Sequence, residues 1–244
     1  LYYSSIRQEW NIRSCKILKH NRWHVSLLFM KSWNFYDRPG FDKAGHLRTD
    51  KVWLEGQIAS DSSQIVPIWR SRNFVADIEN PRLTTVPMNK SIVDDSPVIV
   101  FLGLFNDTAH FAVDLSHYEK PPFRDEGRFA DLRAIGTLLP RDESSLMAFA
   151  RAHMTWHKRH KFCGCCGAAT KSKNGGHVRV CTNENCKKSC FPRIDPAVIM
   201  LIHDGGDRIV LGRKKTMLPG QHSILAGFCG ARRELRKCGC TRGV

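Results

Sequence analysis

The chain has 244 residues, 42% hydrophobic and 25% charged, which suits one or two globular domains with a real core. Its apolar runs, such as Val98 to Phe105 and Ala197 to Ile202, fall far short of the ~20 residues of a membrane-spanning helix. The net charge of +15 is uneven: residues 1–150 hold 19 Lys+Arg against 18 Asp+Glu, whereas residues 151–244 hold 19 against 5. Because the chain begins at Leu1 rather than Met, the true N-terminus and any targeting peptide are expected upstream.

Residues 1–36 carry Trp10, Trp23 and Trp33 among basic residues without a clean period, and read as an unassigned leader, disordered by preference. From about Lys51 short β-rich runs follow: Val52 to Leu54, Ile65 to Trp69, Asn73 to Val75, Val98 to Leu104 and His110 to Asp114. Asp, Asn, Ser, Gly and Pro separate them, so residues 40–145 read as a small, largely antiparallel N-terminal α/β domain. Glu126 to Leu139 and Glu143 to His160 have helical spacing, the second carrying Leu146, Ala148, Ala150 and Met154 without Gly or Pro. Beyond the cysteines, Pro192 to Pro196 is a stiff connector. Ala197 to His203 and Arg208 to Gly212 read as a hairpin turning at Gly205-Gly206-Asp207, and His222 to Phe228 as a third strand. The overall class is α+β.

Six of the ten cysteines, Cys163, Cys165, Cys166, Cys181, Cys186 and Cys190, fall within 28 positions, which reads as metal binding in a reducing, intracellular setting. Structural zinc takes four tetrahedral ligands. Cys163-x2-Cys166 offers two thiolates from one tight turn, with Gly167 where such a turn needs unusual backbone angles. Cys181-x4-Cys186 supplies a second pair after one short hairpin, giving a zinc ribbon over residues 158–192. Cys165 would point away from a metal held by its neighbours. Cys190 competes with Cys186 for the fourth place, but Cys190-Phe191-Pro192 reads as the strand leaving the turn, so the fourth ligand is Cys186. His157 and His160 flank the first pair and are expected to be structural or solvent-facing rather than ligands.

An ordered series of motifs then resembles the zinc-containing NADH pyrophosphatases of the Nudix superfamily. It runs Trp156-His157-x4-Phe162-Cys163-x2-Cys166-Gly167, Cys181-x4-Cys186, Phe191-Pro192-Arg193-Ile194-Asp195-Pro196-x-Val198-Ile199-Met200 and Leu225-Ala226-Gly227-Phe228. The resemblance implies a Nudix α/β/α domain over residues 195–244 and hydrolysis of the pyrophosphate of NADH or NAD to a nicotinamide mononucleotide and AMP. It further implies structural zinc, catalytic Mg or Mn, a homodimer, substrate contact at Phe191, and divalent-cation ligands at the Ala226 carbonyl and Glu234, the latter catalytic. Within the cell, cytoplasm and an organelle such as the peroxisome are not distinguished, and no membrane partner is expected.

The family's Gly-x5-Glu-x7-Arg-Glu-U-x-Glu-Glu-x-Gly-U box, U being apolar, is where the sequence departs. After Phe228 it reads Cys229-Gly230-Ala231-Arg232-Arg233-Glu234-Leu235-Arg236-Lys237-Cys238-Gly239-Cys240. Only Glu234 keeps a carboxylate, and Lys237 stands at the paired glutamates. The expectation is a truncated, incomplete Nudix domain with little or no activity. The competing reading is a non-enzymatic zinc-ribbon module holding nucleic acid or a protein. Lys158, Arg159, Lys161, Lys171, Lys173, Arg179, Lys187 and Lys188 would supply phosphate contacts, although the scarcity of aromatic side chains there makes nucleic acid the less favoured partner.

Overall fold

The computed structural model describes residues 15–20, 23–28, 42–193, 195 and 197–228. In chain order the elements are β1 (Cys15–His20), β2 (Trp23–Leu28), a 3-10 turn (Gly45–Thr49), α1 (Lys51–Ile58), β3 (Gln64–Trp69), β4 (Arg72–Val75), β5 (Val86–Pro87), α2 (Lys90–Asp95), β6 (Ile99–Phe105) and β7 (Thr108–Asp114). There follow β8 (Arg128–Ala130), α3 (Leu132–Ile135), α4 (Arg141–Arg159), β9 (Thr170–Lys173), β10 (Val178–Cys181), β11 (Ser189–Cys190), β12 (Ala197–His203) and β13 (Leu225–Phe228). The class is α+β. Two compact units form: Trp33–Pro192, and Leu1–Ser32 with Arg193–Val244.

In the Trp33–Pro192 unit one sheet runs β6-β7-β3-β4-β8, with β5 also on β3. Its pairings are antiparallel except that β3 and β7 run parallel. α4 covers one face: Leu146, Ala150 and Met154, one stripe at i, i+4, i+8, pack on Val66, Ile68, Val100, Leu102 and Ala112. The other face buries Ile65, Trp69, Phe74, Phe101, Phe111 and Leu115. Asp142 and Glu143 in the first turn of α4, and Lys158 and Arg159 in its last, suit the helix dipole.

Two sequence expectations fail here. Val52 to Leu54, read as a strand, lies in helix α1, because the Asp50 side chain caps it by accepting from the Trp53 N–H at 3.0 Å. The helix expected over Glu126 to Leu139 divides into β8 and the single turn α3. Gly127 makes the difference: a Cβ there would meet the Val75 carbonyl at 2.5 Å, so this segment lies flat against β4.

The ribbon is a three-stranded sheet, β11-β10-β9, with Cys190 on β11 as expected. The tip of its β9–β10 hairpin docks on the outer edge of β6. The Phe101 N–H donates to the Gly175 carbonyl at 2.8 Å, and His177 Nε2 donates to the Phe101 carbonyl at 2.7 Å. Further along that edge, Asp42 and Leu104 exchange both backbone hydrogen bonds, at 2.9 and 2.7 Å. The edge strand is thus closed by its own chain. The tip fits because Gly176 has φ +88° and lacks a Cβ, which would lie 2.7 Å from Val100 Cγ2 and 2.9 Å from the Ile99 carbonyl.

In the other unit the sheet order is β1-β2-β12-β13, all antiparallel. Within residues 1–36 the described stretches 15–20 and 23–28 pair as β1 and β2, and the rest of the expected leader lies outside the described residues. The further partner of β2, strand β12, lies far away in sequence, so no local pattern announced it. Arg208 to Gly212, expected as a strand, forms only the bridges His203↔Ile209 and Gly212↔Ser223. Most of β12 is already paired, Ala197–Met200 with β13 and Leu201–His203 with β2. The third strand starts at Leu225 rather than His222.

Gly176→Val should destabilise the protein by about 2–4 kcal/mol in denaturant unfolding, since it combines a backbone clash with a left-handed φ. Gly56→Ala, in exposed helix with open space around its Cα, should stabilise by about 0.5–1 kcal/mol. Equal effects of the two changes would show that the tip does not bear on β6 as described.

Candidate metal centre

Two tight turns bring the cysteines together. In the first, Gly167, at φ +74°, donates its N–H to the Cys163 carbonyl at 2.9 Å, and the Cys163 N–H donates to the Ala168 carbonyl at 2.7 Å. In the second, the Cys186 and Lys187 N–H groups both reach the Asn183 carbonyl, at 2.9 and 3.0 Å, and Lys187 takes φ +45°, the role of Gly167 filled by a residue with a side chain. The Cys181 N–H donates to the Lys188 carbonyl at 2.9 Å, closing the second turn, and the Thr182 N–H donates to the Ala169 carbonyl at 3.0 Å, linking the two turns.

The Sγ atoms of Cys163, Cys166, Cys181 and Cys186 all lie within 4.8 Å of one another. Cys163 to Cys186 is 3.8 Å and Cys166 to Cys181 is 3.4 Å. Thiolates at about 2.3 Å from a tetrahedral zinc stand about 3.8 Å apart, so the cluster fits that ion. Cys165 and Cys190 are outside it. The backbone N–H groups of Cys165 and then Cys166 hold the Cys163 thiol down to about 6, whereas burial pushes Cys181 up to about 12. Four thiols this close do not all ionise without a cation among them.

Beneath the cluster lies a polar clamp. Arg179 is buried, with no carboxylate; its Nη1 donates to His157 Nδ1 at 2.8 Å, Nε to Thr170 Oγ1 at 2.6 Å and Nη2 to the Thr170 carbonyl at 2.8 Å. A guanidinium is always a donor, so the His157 proton sits on Nε2 and is given to the Gly176 carbonyl at 2.7 Å. Burial is the main cause lowering His157 to about 4, with Arg179 contributing. Burial likewise lowers His177 to about 4 and His153 to about 3. His157 is thus structural, as expected. Arg179, expected as a phosphate contact, is instead an internal donor, because its three donor nitrogens face neutral acceptors within the fold.

The remaining site residues are described unit by unit. Phe191 lies just past β11 and is 60% exposed, in the Trp33–Pro192 unit. Ala226 is on β13 opposite Ile199, in the other unit. Glu234 lies outside the described residues. The Arg179–His157–Gly176 clamp went unnoticed in the sequence; its signal was the Asn174-Gly175-Gly176-His177 turn between the cysteine pairs.

Residues 62–156 match the family model described as the NADH pyrophosphatase-like rudimentary NUDIX domain. Over this stretch the chain is similar to the NADH pyrophosphatase-like Nudix family. Similar proteins extend the match. The human NAD-capped RNA hydrolase NUDT12 is 43% identical over 97 residues, which cover 37% of this chain and 21% of that protein. The NAD-capped RNA hydrolase NudC of Mycobacterium tuberculosis (strain ATCC 25618 / H37Rv) is 34% identical over 212 residues, 86% of this chain and 65% of NudC. The chain thus spans about a fifth of the NUDT12 length and 65% of NudC. An alignment that covers 86% of the chain takes in both cysteine pairs as well as the Nudix-family segment.

Three of the four buried histidines among the described residues, His153, His157 and His177, give a pH dependence with a definite sign. Their folded values lie below the unfolded value of 6.5, so between pH 6.5 and about 4 the unfolded chain binds more protons. Their contribution to stability should be level above pH 6.5 and fall as pH drops through that window, each histidine contributing up to about 1.4 kcal/mol per pH unit. Unfolding measured from pH 7.5 to 4.5, with zinc content followed in parallel, should show a shallower slope for His153→Phe than for the parent. Parallel slopes would show that His153 does not titrate on unfolding.

Proposed function

We propose that the chain carries structural zinc on Cys163, Cys166, Cys181 and Cys186 and belongs functionally with hydrolases of the pyrophosphate in NAD-type dinucleotides. The observation that carries this reading is the 34% identity to NudC across a stretch that takes in the thiol cluster. In that reading Phe191, exposed beside the ribbon, offers a face for a base, and the Ala226 carbonyl with Glu234 marks the place of a catalytic Mg or Mn. A divalent cation there would offset pyrophosphate charge and lower the pKa of an attacking water. The donor set does not fit that ion: Glu234 stands among Arg232, Arg233, Arg236 and Lys237, and these four cations oppose it. We therefore infer dinucleotide binding with weak or no hydrolysis for this sequence.

That the similar proteins are NAD-capped RNA hydrolases supports a second reading, in which RNA also meets the ribbon. Lys158, Arg159, Lys161, Lys171, Lys173, Lys187 and Lys188 are exposed, and Phe162 and Phe191 are 68% and 60% exposed. Cations interleaved with accessible rings suit single-stranded nucleic acid. Phe162 and Phe191 are the two stacking candidates that the sequence offers there, and both are accessible.

Metal analysis of the purified chain should give about one zinc per molecule. Cys181→Ser should lose it and destabilise residues 158–192, because binding at such a site is coupled to folding. A zinc-free parent, or full zinc in Cys181→Ser, would refute the assignment.

Incubated with NADH and Mg or Mn, the chain should release little AMP while still binding NADH by titration. Robust turnover that disappears in Glu234→Gln would show that a working metal site survives the basic surroundings.

A further inference from the structure

A cleft of about 480 Å³ lies wholly within the Trp33–Pro192 unit, walled by the Gly45–Thr49 turn, by α4 and by the ribbon hairpin. Its volume is in the range of small-molecule sites, roughly 300–1,000 Å³. Lys43, Arg48, Phe149, His153, Asn174 and His177 line it, and no carboxylate does.

The cleft holds positive charge without a counter-ion. Neither Lys43 nor Arg48 has a salt-bridge partner among the described residues. The nearest acids in sequence are occupied: Asp42 Oδ1 accepts from the Ala44 N–H at 2.8 Å, and Asp50 Oδ1 caps α1. Arg48 is half-buried; its Nη2 donates to the Lys43 carbonyl at 3.2 Å, while its Nε is buried without a partner. A partly desolvated guanidinium lacking an anion is costly to maintain, and a bound anion offsets that cost.

The adjoining wall is aromatic, and the Lys43 Nζ lies over its Phe149 ring, 5.4 Å from the centroid. His153 is 5% exposed and its Nδ1 has no partner. Its ring stands edge-on to His177 at 4.5 Å and to Phe149 at 4.6 Å. The exposed Asn174 amide provides polar groups for a heterocycle, and the exposed Phe191, also on the rim, provides a ring face.

We propose that this cleft binds a nucleoside monophosphate, its phosphate between Lys43 and Arg48 and its base along the Phe149, His153 and Asn174 wall. The choice of a nucleotide among anions rests on the dinucleotide reading above; the charge argument does not.

Calorimetric titration of the zinc-loaded full chain with AMP, adenosine and inorganic phosphate tests it, without any turnover. AMP should bind, with adenosine and phosphate each about tenfold weaker or more, as loss of one charge-assisted contact or of the base would give. Lys43→Gln, a change at an exposed position, should weaken AMP about tenfold and leave adenosine unchanged. Arg48→Gln should do the same, its fold verified by zinc content and unfolding midpoint. No AMP binding by the parent, or equal AMP affinity in Lys43→Gln, overturns the cleft assignment. Phosphate binding as tightly as AMP overturns the nucleoside half. A chain that hydrolyses NADH yet fails these tests defeats the cleft alone, and one that binds AMP through Lys43 without hydrolysing NADH leaves the cleft standing.

Discussion

The ribbon is tied to the sheet through one residue's main chain. Phe101 sits on edge strand β6, and both its N–H and its C=O are taken by the hairpin tip, one by the Gly175 carbonyl and the other by His177 Nε2. A ribbon of this size buries little of its own: Val178 and two of the four cysteines are its buried apolar residues among those described. It therefore depends on two attachments, the thiol cluster at its far end and the β6 edge at its near end. Arg179 and His157 connect them, since Arg179 holds Thr170 at the start of β9 and His157 holds the Gly176 carbonyl at the tip. The left-handed turn at Asn174, Gly175 and Gly176 follows from that closeness of approach.

The parts legible in the sequence were those whose constraint is local. Zinc-ligand spacing is set by the reach of two turns, so Cys163, Cys166, Cys181 and Cys186 could be chosen over Cys165 and Cys190 before any fold was known. The apolar stripe of α4 repeats within its own length and was equally plain. Where the deciding partner is distant, the reading failed. The β1–β2 hairpin is completed by β12, across most of the chain. Segment 126–139 was divided by the proximity of β4, which nothing in its helical spacing reveals. Val52-Trp53-Leu54 was misread for another reason: β-branched and aromatic composition outweighed the cap at Asp50, a signal that was local and present.

Arg179 shows how a charge count misleads. From composition it belonged to a basic surface, yet its guanidinium is spent on Thr170 and His157 inside the fold, and burial lowers its pKa. Sequence cannot separate a cation that organises backbone from one that meets solvent; only the neighbours at the guanidinium do so.

The same separation bears on chemistry. Hydrolysis of a dinucleotide needs cations around the phosphates and carboxylates around the metal, so excess positive charge is useful in one place and harmful in the other. In this chain the basic surplus occurs in both. Lys43 and Arg48 enclose space without a carboxylate, suited to holding an anion. In sequence Arg232, Arg233, Arg236 and Lys237 flank Glu234, the reverse of what a divalent cation requires of its neighbours. Ground-state binding and bond cleavage thus make different demands on the residues of a hydrolase, and the first does not entail the second.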